Sequence, residues 1–149
     1  MTIKQNLYQQ CLNIVDQRFK IIQEHITDIQ SNLGSESKSS AGDKYETGRA
    51  MLQLEREKAG QQLAEINKLK TVLHKIDIDQ KSLSVRVGSL VFTSKANYFI
   101  AVSLGSLEIE NHKCYAISSQ TPIGQLLMGK HTGDEINFNG SSFIITKIL

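Results

Sequence analysis

Tryptophan is absent from this sequence and proline occurs once, at Pro122. With so little proline, long stretches contain no residue that forbids a helix. Cysteine is nearly as scarce. Cys11 and Cys114 lie in unlike segments with no metal-ligand spacing around either, which excludes a disulfide framework and a structural zinc site and fits a reducing cytoplasm. No apolar run approaches the roughly 20 residues that a bilayer-spanning helix needs, and the amino-terminal MTIKQNLYQQ lacks a signal-peptide apolar region. A soluble, cytoplasmic protein without a membrane partner is therefore expected. Lysine and arginine number 17 against 15 acids, a formal net charge of +2. With no run of five basic residues, the charge balance gives no counterion-release argument for nucleic-acid binding. Nucleophile–base pairs, phosphate-binding glycine-rich loops and metal-ligand clusters are missing too, so nothing supports an independent enzyme.

What is present is periodicity. From Tyr8 the apolar residues step by fours and threes through Leu12, Val15, Phe19, Ile22, Ile26, Ile29 and Leu33, a coiled-coil seam that predicts an uninterrupted helix about 40 Å long. Gly34 is expected to end it by the glycine C′ rule, followed by an exposed serine-rich turn. A second seam runs through Tyr45, Leu52, Ala59, Ile66 and Leu73, with Leu63, Leu69 and Ile76 at alternate positions. Two such helices joined by a short polar connection are expected to pack antiparallel, because neither is stable alone in water.

Around Ile76 the period changes to that of strands. Five strand candidates follow: the stretch holding Val85, Val87, Leu90 and Phe92, then 98–102, 113–117, 135–138 and 142–148. Turn signals stand at 95–97, at 110–112, at Gly133 and at Asn139-Gly140. Pro122, at a helix N1 position, opens a short helix that closes at Gly129. The expected fold class is α+β. An antiparallel coiled-coil hairpin spans 1–78 with its tip at 34–46, and a small β-rich domain with one short helix spans 79–149.

The tip holds the candidate chemistry. Asp43 and Glu46, three residues apart at the start of the second helix, leave the same face of its first turn. They can act as a capping box, Asp43 as N-cap and Glu46 at N3, or as a presented pair of metal-ligating carboxylates. The residues alone leave both readings open.

The segment ISSQTPIGQLLMGKHTGDEINF resembles the corresponding part of the GreA/GreB transcript-cleavage factors of bacterial RNA polymerase. In that family Ser/Thr-Pro-Ile, a short helix, Gly-Lys and Gly-Asp recur in the same order. The amino-terminal half resembles it too: the family carries Gly-Asp-x-x-Glu at a coiled-coil tip, and Gly42-Asp43-Lys44-Tyr45-Glu46 stands at the tip here. The family usually continues with Asn-Ala-Glu-Tyr, whereas this chain has Thr47-Gly48-Arg49-Ala50.

The resemblance implies an FKBP-like carboxyl domain and a transcription elongation factor whose coiled coil enters the secondary channel of RNA polymerase. It further implies that Asp43 and Glu46 are donated in trans as catalytic residues, helping to hold Mg2+ beside the 3′ end of backtracked RNA, with no cofactor in the factor alone. RNA polymerase and the nascent RNA are then the partners, and DNA at most indirectly. Lys38, Lys44 and Arg49 flank the acids as candidate partner-binding residues facing RNA phosphate, or as ordinary solvated charges. The alternatives are a non-cleaving channel regulator, a coiled-coil adaptor and, from the domain's fold alone, a prolyl isomerase.

Overall fold

The computed structural model describes residues 1–37 and 43–149, without the side chains at 36, 37 and 43–45. Two long helices, α1 (Ile3–Ser37) and α2 (Asp43–His74), precede a six-stranded sheet with one short helix. The chain divides into two compact units. One is Ile14–Lys70, and the other joins Met1–Asn13 to Thr71–Leu149.

In the first unit the helices are antiparallel, with Asp16 beside Lys70 at 3.8 Å and Leu33 bonded to Arg49. Ile26, Ile29 and Ala59 are buried between them, with Ile22, Leu33, Leu52 and Leu63 packed around. The fours-and-threes seam therefore becomes the mutual face of the pair. Phe19 on that seam is only half-buried, and the Lys70 ammonium sits 3.5 Å over its ring, a cation–π contact worth about 1 kcal/mol where it is partly shielded from water. The first helix does not stop at Gly34. It continues to Ser37, and Gly34 is absent from the glycines with positive φ, so it adopts ordinary helical geometry.

The second unit starts with a cap that the sequence pattern did not signal. Thr2 Oγ1 accepts from the Gln5 amide at 3.1 Å and Gln5 Oε1 accepts from the Thr2 amide at 3.0 Å, a reciprocal capping box at the start of α1. Over this part of α1 the buried residues are Lys4, Leu7 and Cys11, while Tyr8 and Leu12 are half-buried. The inward face is thus turned by one position relative to the seam further along. Tyr8 turns its hydroxyl to the Leu73 carbonyl at 2.7 Å.

The strands are β1 (Leu90–Thr93), β2 (Asn97–Ala101), β3 (Gly105–Ile109), β4 (His112–Ser118), β5 (Glu135–Phe138) and β6 (Ser141–Ile148), with α3 (Pro122–Leu127) between β4 and β5. Their order across the sheet is β3-β4-β2-β1-β6-β5. The β2–β4 pair is parallel and the others are antiparallel. One more strand is present than the sequence pattern predicts: β3, whose Leu107 and Ile109 are buried while Glu108 faces out. The first candidate shortens to 90–93, because Gly88 at φ 97° breaks the extended run.

The sheet is covered on both faces. Val91, Ile100, Ile136, Phe143 and Ile145 form one core with Ile123 and Leu127 of α3. Leu90 and Cys114 approach Ile3 and Leu7 of α1 across a void of about 10 Å³, at or below the space one water needs. Burial on both sides explains why Phe99, Ile100 and Ala101 are all inaccessible in succession. Asn139 and Gly140, at φ 51° and 78°, make the β5–β6 turn, and Glu110 and Asn111, at 48° and 65°, make the β3–β4 turn. Positive φ at both central residues is the signature of a type I′ hairpin.

Candidate functional site

The acidic pair occupies the opening of α2. Asp43 is the first residue of that helix and Glu46 stands one turn on. A carboxylate in the first turn is also favoured by the helix dipole. Glu46 is exposed, and it forms no ion pair among the described residues. The side chains of Asp43 and Lys44 fall outside the described set, as does the capping-box contact, and Lys38 lies wholly outside it.

Arg49 is the flanking cation that the structure locates, and its role is intramolecular. From a half-buried position its Nη1 donates to the Leu33 carbonyl at 3.2 Å. The guanidinium thus ties α2 to α1 and does not neutralise Glu46, three residues earlier. Beyond Arg49 the exposed Met51 and Leu54 form a short apolar strip, which the seam assignment passes over because it falls between seam positions.

The block that carries the resemblance in the β unit is built for local geometry. Thr121 Oγ1 donates to the Ser118 carbonyl at 2.7 Å and accepts from the Gly124 amide at 3.1 Å. Pro122 takes the N1 place, where a missing amide proton costs nothing. Gly124 is tightly enclosed: a Cβ there would stand 2.2 Å from the Ser118 carbonyl oxygen. Gly129 and Gly133 have φ of 79° and 93°, and Asp134 Oδ2 accepts from the His131 amide at 2.7 Å. Pro122, Gly124, Gly129 and Asp134 thus have structural tasks in one turn–helix–turn.

Among the described residues no group of three or more His, Cys, Asp and Glu could hold a metal ion. Two carboxylates on one helical turn can supply part of a Mg2+ shell, whose remaining oxygens must come from phosphate, water or another protein. Among the described residues no helix is long and apolar enough to cross a membrane.

The fold is that of an antiparallel helix pair, whose second helix opens with Asp43 and Glu46 in its first turn, and a six-stranded β unit with one short helix. No family model and no curated protein matches the chain. Among the solved structures similar to it are two of one protein. One is that of the transcription factor Gfh1, at 14% identity over 95% of this chain and 92% of that one, with a TM-score of 0.34. The other is the crystal structure of the GreA factor homolog 1 (Gfh1) protein of Thermus thermophilus, at 17% identity over 95% of this chain and 94% of that one, also with a TM-score of 0.34. A TM-score of that size is too low for either likeness to carry an assignment.

Proposed function

We propose that this chain is a Gre-type transcription elongation factor, an accessory protein rather than an enzyme. It binds bacterial RNA polymerase in the cytoplasm, inserts its helix pair in the secondary channel and stimulates cleavage of backtracked RNA. The observation that carries the reading is the place of Asp43 and Glu46: they stand in the first turn of the second helix of an antiparallel pair, with Glu46 exposed and without an ion pair among the described residues. The Thr121-to-Asp134 block, ordered as in the family, supports it.

In this reading Asp43 and Glu46 are donated in trans. Mg2+, when held there, supplies Lewis-acid activation of a water at the RNA 3′ end. Glu46 contributes a hard anionic oxygen, and its three-residue separation from Asp43 lets both serve from one side of the turn. Arg49 Nη1 is committed to the Leu33 carbonyl, so in this reading it leaves the Glu46 carboxylate unpaired for a cation. Lys44 and Lys38 remain the candidates for phosphate contact, and any approach to DNA is indirect.

The test is RNA cleavage by stalled polymerase complexes with the whole protein and with the double variant Asp43→Asn, Glu46→Gln. Amides preserve capping capacity but remove the charges that bind Mg2+. The variant is expected to bind polymerase undiminished and to lose stimulation. Full cleavage by the double amide would remove the carboxylates from the mechanism. Binding without cleavage by the unmodified protein would replace this reading with a non-cleaving channel regulator.

A further inference from the structure

A cleft of about 570 Å³ opens in the β unit, between the first turn of α1, the segment 78–83 and the end of β6. Its volume lies in the range of small-molecule sites. The walls are aliphatic: Ile3, Ile78, Leu83, Ile148 and Leu149 line it, without an aromatic ring. Leu83 is 89% exposed, an unusual position for leucine at the rim of an apolar cleft.

Lys4, Asp79 and Lys81 are the charged residues of the lining, and Lys4 is the one set into the wall. Lys4 is 8% exposed, and among the described residues the Gln80 carbonyl, 3.2 Å from Nζ, is its one hydrogen-bond acceptor. An ammonium has three donors, and a buried charge is normally paired. The nearby acids, of which Asp79 lines the same cleft, form no ion pair with it among the described residues and accept other hydrogen bonds. Asp79 Oδ1 accepts from Gln5 Nε2 at 3.1 Å, and Asp77 Oδ1 accepts from the Asp79 amide at 3.1 Å. Arg86, which bonds the Gln80 side chain, adds a second positive charge, and Lys81 lines the same cleft. Burial first, and then Arg86, hold the Lys4 pKa below its usual value, against the opposing pull of Asp77 and Asp79. The charge is under-compensated where it stands.

We propose that this cleft is a binding site for a small aliphatic monocarboxylate, its carboxylate on Lys4 and its chain along Ile78, Leu83 and Ile148. The absence of aromatic rings selects an alkyl body over a stacking one. The single under-paired ammonium selects one anionic oxygen group over a bulky polyanion. This site is independent of the tip and of the polymerase reading.

Octanoate titrated into the whole protein, followed by methyl NMR, is the test. Saturable shifts confined to Ile3, Ile78, Leu83 and Ile148 are expected, with a Kd of about 1 mM for a ligand of this size. Hexanoate should bind about fourfold more weakly per methylene removed, and octan-1-ol about tenfold more weakly because it lacks the charge-assisted bond. Lys4→Met should erase the preference for octanoate over octan-1-ol. Leu83→Glu, at a side chain whose exposure makes it irrelevant to folding, should abolish octanoate binding by repulsion. The Lys4 pKa should rise on binding. Equal binding of octanoate and octan-1-ol, shifts spread outside the cleft, or octanoate binding unchanged in Leu83→Glu would each overturn the proposal. So would the same shifts caused by a neutral aliphatic peptide as readily as by octanoate, since the cleft would then be a polypeptide groove.

Discussion

Arg49 Nη1 reaches the Leu33 carbonyl at 3.2 Å, bridging the two helices through residues sixteen apart in sequence. The bond is charge-assisted and half-buried, so removing it costs more than deleting a surface ion pair, which is worth 0 to about 1 kcal/mol. Arg49→Ala is expected to lower stability by about 1–2 kcal/mol, seen as a fall of several degrees in the thermal midpoint. Arg49→Lys should recover only part of it, since a lysine offers a differently placed donor. An unchanged midpoint in Arg49→Ala would return this side chain to the pool of partner-facing cations.

Gly34 offers a sharp test of local geometry. A glycine closing a helix at C′ has positive φ, and alanine there is strained. In this structure the helix runs on to Ser37, and a Cβ at Gly34 would meet nothing within 4 Å. Gly34→Ala is therefore expected to stabilise the hairpin by about 0.5–1 kcal/mol. Destabilisation, measured by chemical denaturation, would show that the helix ends at Gly34 after all.

Legibility in the sequence followed the range of the forces involved. The seam from Val15 to Leu33 could be read because its one neighbour is another helix of the same period. Nearer the start the buried face shifts to Leu7 and Cys11, a choice imposed by the sheet that no helical period encodes. The turns at Asn139-Gly140 and Glu110–His112 announced themselves through residues that accept positive φ. β3 did not, because Gly105, Ser106 and Glu108 leave only Leu107 and Ile109 as apolar signal, and its strand character comes from pairing with β4. At the tip, the spacing of Asp43 and Glu46 was legible as a local fact. The capture of Arg49 by Leu33 was not, since it depends on how two distant segments meet.

The thiols give a pH dependence with a definite sign. Cys11 and Cys114 are free and buried, and burial raises their pKa values from 9.0 to about 11 and about 12. For Cys114 the neighbouring Cys11 adds to the rise, while a backbone hydrogen bond at Phe99 opposes it. The folded state thus holds these protons more tightly than the unfolded chain. The resulting stability is complete below pH 9 and is lost as pH rises toward 11–12. Tyr8 and Tyr98, also raised by burial, act in the same direction, and Lys4, lowered, acts against it. Denaturation midpoints should fall above pH 9, and less steeply in Cys11→Ala, Cys114→Ala. An equal alkaline fall in that double variant would assign the effect to the tyrosines. Neither thiol should react with a disulfide reagent at pH 8 until the protein unfolds.

The last expectation concerns where the chain can be cut. A division at 78/79 follows the change from helical to strand period, yet the compact unit that holds the sheet also includes Met1–Asn13 and the segment from Thr71. Leu7, Cys11 and Leu73 are wholly inaccessible there and Ile76 is 9% exposed. A Cβ added to Gly88 would stand 3.0 Å from the Ile76 side chain, so the end of α2 and the approach to β1 are in direct contact. Burial of three aliphatic side chains at about 2 kcal/mol each is roughly 6 kcal/mol, comparable to the whole stability of many domains. A fragment beginning at Gln80 lacks all four residues and bares the face that carries Leu90 and Cys114. It is expected to unfold with a broadened transition at a much lower temperature than the intact chain, and to bind a hydrophobic dye. A sharp transition at the intact protein's temperature, with dispersed amide resonances, would instead establish residues 80–149 as a self-sufficient domain and leave the helix ends as a cover that the sheet does not need.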